Sequence, residues 1–131
     1  MSSFNTGTIV LRGGAGDELG LLMRRGLIIV KGDCGEFACA SMIAGTVVLL
    51  GKAGERLGAG MKRGTIIVAS EPRLPPSFRH ACEYHPSFLS LLRNRLSHFA
   101  IELPDATMSC YRGDLLSGGR GEVFSTKFKR M

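Results

Sequence analysis

His80, Cys82 and His85 place three potential metal ligands within six positions, beside the proline-rich run PRLPP at 72–76. Imidazole and thiolate are the donors of structural zinc sites, but such sites take four ligands at regular spacing. No fourth ligand stands at a matching interval, so the cluster reads as structural and no metal is expected. The remaining thiols are Cys34, Cys39 and Cys110. The start MSSFNTG shows no secretory pattern, so reduced thiols and a cytoplasmic location are expected. The run GGAGDELGLLM (13–23) follows the β-branched stretch TIVLR, a context in which glycines can cradle phosphate. A dinucleotide fingerprint has two residues before its third glycine, whereas three separate Gly16 from Gly20. The run GTVVLLGK (45–52) has five residues between its glycines instead of four, and Ala53 where Ser or Thr would hold magnesium. Neither is a phosphate loop. No Ser/His/Asp set or carboxylate pair falls at recognisable spacing, and no catalytic residue is expected.

The glycines have another explanation. Gly7-Thr8-Ile9-Val10-Leu11, Gly26-Leu27-Ile28-Ile29-Val30, Gly45-Thr46-Val47-Val48-Leu49 and Gly64-Thr65-Ile66-Ile67-Val68 begin 19 residues apart. The columns stay in register without gaps. Gly13, Gly32 and Gly51 share one column, Gly16, Gly35 and Gly54 another. Gly20, Cys39 and Gly58 are small in a third, and Met23, Met42 and Met61 fill a fourth. One short β-branched strand per 19-residue unit is too little chain for a pair of helices. It suits one turn of a parallel β-helix, each coil stacking about 4.8 Å above the last. The strands form ladders, the Ile, Val, Leu and Met columns stack into a core, and the glycines serve corners and close backbone approach. Cys34 and Cys39 then become small packing residues. The expected fold is all-β: a parallel β-helix over 1–70 and a capping segment over 71–131.

Composition narrows the partners. The 131 residues, 44% of them hydrophobic and 21% charged, suit a soluble globular chain, and no apolar run is long enough to span a membrane. A net charge of +6 and a pI near 9.6 favour an anionic partner: an acidic protein surface, a polyanionic cofactor or a nucleic acid. The lack of aromatics among the basic columns argues against nucleic acid. Arg24-Arg25 and Lys62-Arg63 occupy the same two columns, interrupted by Ile43-Ala44, and so belong to one face two coils apart. They are either a solvated corner or a docking ridge.

PRLPP ends the repeat, because proline cannot continue a central strand. Residues 86–100, PSFLSLLRNRLSHFA, read as an amphipathic helix. Phe88, Leu89, Leu92, Leu96 and Phe99 form its apolar side, and Arg93, Asn94, Ser97 and His98 its polar side. Such a helix would cap the solenoid across its end or its side. The tail MSCYRGDLLSGGRGEVF (108–124) returns to short extended pieces and glycine turns. Its Arg112, Asp114, Arg120 and Glu122 are expected to fix the tail's own turns or to meet a partner.

Coils ending in MRRG and MKRG, followed by LPPSFR, PSFLSLLRNRL and YRGDLLSGGRGEVF, resemble the C-subunit family of formylmethanofuran dehydrogenase, together with its bacterial relative in the formyltransferase/hydrolase complex. The repeat alone also resembles the carboxy-terminal domain of the glutamate synthase large subunit, the alternative scaffold; the tail favours the former. The resemblance implies a right-handed β-helix and a non-catalytic structural subunit. It implies a complex moving formyl groups on methanofuran-type cofactors and tetrahydromethanopterin, with amidohydrolase-like and formyltransferase partners. No cofactor is expected on this chain alone. Those cofactors carry anionic, glutamate-rich tails, which raises the interest of the basic ridge. Family members have more coils before the matched region. An open end at the first strand is therefore expected to receive a partner subunit or a second copy.

Overall fold

The computed structural model describes residues 8–21, 23–69, 72–84, 87–101, 103 and 108–125. Four strands, β1 (Thr8–Leu11), β2 (Leu27–Val30), β3 (Thr46–Leu49) and β4 (Thr65–Val68), pair in parallel. Each residue sits beside its copy one repeat away: Thr8 by Leu27, Leu27 by Thr46, Thr46 by Thr65. The chain is a β-helix of 19-residue coils, as the repeat implies.

Strands β2 to β4 carry no polar face because both of their faces are covered. Val30, Val47, Leu49, Ile66 and Val68 point into the solenoid, against Ala38, Met42, Leu57 and Met61. Leu27, Ile29, Val48 and Ile67 point outward and form a second core with the C-terminal segment.

The coil corners need two backbone properties. Gly45 and Gly64, just before β3 and β4, take φ of +105° and +110°, where a Cβ is strained. Gly51 instead lies against the coil below, and an added Cβ would collide with the carbonyl oxygen of Gly32. Another left-handed column holds no glycine at all: Glu18, Phe37 and Arg56 have φ of +62°, +59° and +61°. Stacking holds them there, with Glu18 N–H donating to Glu36 O at 2.8 Å and Phe37 N–H to Glu55 O at 3.0 Å.

The C-terminal segment joins the same sheet. After the proline run come β5 (Arg79–Tyr84), helix α1 (Leu89–Ser97), β6 (Met108–Gly113) and β7 (Gly121–Ser125). β7 pairs in parallel with β4, β6 antiparallel with β7 and β5 antiparallel with β6, giving the order β1-β2-β3-β4-β7-β6-β5. Gly121-Glu122-Val123-Phe124 thus imitates the start of a repeat unit outside the 19-residue period.

Helix α1 is shorter than the expected 86–100 stretch, whose Pro86 lies outside the described residues. It lies on the outer face of the sheet, not over an end of the solenoid. Leu89 and Leu96 are buried there, with Phe88, Leu92 and Phe99 partly buried around them. Arg93, expected on the polar side, is half-buried, and its Nε donates to Leu103 O at 2.8 Å. Leu91 takes the solvent position instead and is 75% exposed.

Candidate functional site

Arg24, Arg25, Lys62 and Arg63 are all exposed, while Ile43 and Ala44 between them are half-buried. The corner ladder sets this arrangement. Ile43 and Ala44 N–H both donate to Met23 O, at 2.7 and 3.1 Å, and Lys62 N–H donates to Met42 O at 2.8 Å. Met42 and Met61 beneath are fully buried, so the chain just after each methionine has only outward space. With coils about 4.8 Å apart, the two basic pairs lie about 10 Å apart on one face. Among the described residues none of the four makes an ion pair or side-chain hydrogen bond. Their charge is open to solvent or to a partner.

The tail quartet divides. Arg112 and Glu122 face each other across β6 and β7 and pair at 3.1 Å. Arg120 is exposed. Asp114 is only 5% exposed and ties three segments together. Its Oδ2 accepts from Gly60 N–H at 2.9 Å in the third coil, and its Oδ1 from Leu116 N–H at 3.0 Å in the tail. Ser77, after the proline run, donates from its hydroxyl. Burial alone would raise the Asp114 carboxyl; the hydrogen bonds from Ser77, Gly60 and Leu116 outweigh it and hold the group below its ordinary value.

Two features carry no signal in the sequence. A groove of about 610 Å³ is lined by Leu91, Asn94, Arg95, His98 and Phe99. It lies where α1 meets β1: Arg95 Nη2 donates to Thr8 Oγ1 at 2.8 Å, and Arg12 Nη2 reaches Phe99 O at 3.5 Å. These partners are 87 residues apart in the chain. The β1 coil is also less buried than its copies. Leu11, Leu19 and Met23 are half-buried, whereas Val30, Ala38, Met42, Leu49, Leu57 and Met61 are closed in.

The thiols take different surroundings. Cys34 and Cys39 lie in the solenoid core, where burial first, then Asp33 beside Cys34 and Cys34 beside Cys39, raise them as acids. Cys110 is buried in the outer core, and Cys82 is exposed. His80 stacks edge-on to Tyr111 at 5.2 Å, and His85 lies outside the described residues. Among the described residues no three His, Cys, Asp or Glu side chains gather as a metal site, and no helix is long and apolar enough to cross a membrane.

The family model of the GXGXG motif matches residues 2–85. No curated protein matches the chain significantly. Among solved structures, a chain in the X-ray crystal structure of the formyltransferase/hydrolase complex from Methylorubrum extorquens, in complex with methylofuran, is 40% identical, with a TM-score of 0.85. The likeness covers 92% of this chain and 46% of that one, so this chain spans about half the length of its relative.

Proposed function

The chain belongs to the GXGXG-motif family, and we propose that it serves as a non-catalytic structural subunit of a formyltransferase/hydrolase complex. The observation that carries this reading is the 40% identity to a chain of such a complex over 92% of the present chain. That span takes in the tail beyond residue 85, where the family model stops, and so favours this reading over a scaffold of the glutamate synthase kind.

The chemistry of the surface fits a scaffolding role. The coils form a stack tied by backbone ladders, Asp114 locks the tail to it, and the basic pairs stand exposed at one corner of the coils. The basic ridge of Arg24, Arg25, Lys62 and Arg63 meets an acidic surface of a partner subunit or the glutamate-rich tail of a methanofuran-type cofactor. The half-buried β1 coil and the adjoining groove make a second contact with the assembly. Formyl transfer to and from methanofuran-type cofactors and tetrahydromethanopterin then takes place on the amidohydrolase-like and formyltransferase partners.

Co-expression tests this. A tagged chain is expected to bring down amidohydrolase-like and formyltransferase subunits in fixed ratio through size exclusion. Omitting the chain is expected to lower the yield of the assembled complex. Partners that assemble and turn over fully without it would overturn the proposal.

A further inference from the structure

Cys82 and Cys110 stand opposite each other on the antiparallel strands β5 and β6, where regular pairing resumes after a register shift between His80 and Cys82. Opposite residues of such a pair point to the same face, with Cα atoms about 4.5 or 5.5 Å apart according to the type of pair. Both separations lie inside the window of about 4.4–6.8 Å that a disulfide spans. The row runs on to Phe124 of β7, the Cα partner of Cys110. Access rises along it: Phe124 is fully buried, Cys110 is 2% exposed, and Cys82, on the outermost strand, is open to solvent. Cys82 lies near enough to help raise the Cys110 thiol as an acid.

We propose that Cys82 and Cys110 are a reversible dithiol/disulfide site whose co-substrate is a low-molecular-weight disulfide of the glutathione type. The Cys82 thiol gives up its proton, and the thiolate attacks one sulfur of the small disulfide. A mixed disulfide forms at Cys82, and the first small thiolate leaves. Cys110 then loses its proton and attacks Cys82 Sγ, forming the protein disulfide and expelling the second small thiolate. The protein is oxidised by two electrons, the small disulfide is reduced by two, and the two protons end on the released thiols.

Access sets the order. Burial, helped by the charges of Glu122 and Cys82, pushes the Cys110 thiol up to about 11, so it is a poor first nucleophile. It resolves a mixed disulfide that is already held against it. The finished bond would tie the edge strand β5 to β6 and enclose α1 between the two cysteines. The Cys82 sulfur of that bond stays open to attack by small thiols, which makes the site reversible.

The site does not depend on the scaffold reading, and its test uses the purified chain alone. Reduced protein is incubated with oxidised glutathione at pH 8 and analysed by mass spectrometry. The expected product has lost two hydrogens, and its tryptic digest joins peptides 80–93 and 96–112. Dithiothreitol is expected to restore the reduced mass. Cys82→Ser, at an exposed position, is expected to fold as the native chain does and to take up no oxidant. Cys110→Ser is expected to stop at one glutathione on Cys82. A native chain that stops at that same adduct overturns the proposal. So does a link to Cys34 or Cys39, or a dimer joined through Cys82.

Discussion

Replacing Asp114 by alanine removes the acceptor that joins the third coil, the proline loop and the tail. The Ser77 hydroxyl can turn to another acceptor, but the N–H groups of Gly60 and Leu116 cannot. A lost hydrogen bond to a charged group costs about 1.5–3 kcal/mol, and partial burial at both sites favours the lower end. Two such losses predict a destabilisation of about 3 kcal/mol at pH 7. For a domain of this size that corresponds to a fall in Tm of about 10 °C. The effect has a sign in pH. The folded carboxyl is held below its ordinary value by the Ser77, Gly60 and Leu116 bonds, acting against burial. Its contribution is therefore complete well above the unfolded value of about 3.9 and is lost as pH falls through that value toward the folded one. Urea midpoints of the native chain and Asp114→Ala at pH 7 and pH 3 check this, since the other carboxylates are common to both proteins and cancel. The gap is expected to narrow at pH 3. A gap that stays constant or widens on acidification, or one below about 1 kcal/mol at pH 7, would refute the reasoning.

Met42→Ala, in a fully buried column, is expected to cost about 3 kcal/mol in chemical denaturation, through lost contacts and the cavity left between coils. Gly45→Ala forces a Cβ into φ +105°, 2.9 Å from Met23 Cε, and should lower stability by more than about 1 kcal/mol in the same assay. Glu122→Gln breaks an ion pair that is half open to solvent; the expected loss is below about 1 kcal/mol and should fade in 0.5 M salt. The combined change of Arg24, Arg25, Lys62 and Arg63 to alanine should leave Tm close to native, because exposed residues without partners contribute little to stability. It should weaken co-purification of partner subunits, most clearly at low salt, which pull-downs across a salt series measure.

The coil was legible because a period repeated in register is a geometric statement. Placing Gly26, Gly45 and Gly64 nineteen residues apart determines the ladder offset, the stacked Met23, Met42 and Met61 and the common face of Arg24-Arg25 and Lys62-Arg63. Nothing in the period reaches the tail. His80, Cys82 and their neighbours carry no strand pattern in the sequence, because only pairing with β6 makes β5 a strand. Arg93 read as a solvent residue because only the fold brings Leu103 O to it.

By itself, then, the sequence determined the four repeat strands, their parallel pairing and the basic columns, all consequences of local periodicity, since each coil repeats the contacts of the one before. Tertiary structure alone decided the rest. It laid α1 on the outer sheet face, where Ile29, Val48 and Ile67 offer an apolar surface that the repeat does not cover. It brought Asp114 to Gly60 and Cys82 to Cys110, pairs 54 and 28 residues apart. Such partners are chosen by what the finished sheet leaves unburied or unbonded, and no spacing along the chain encodes that.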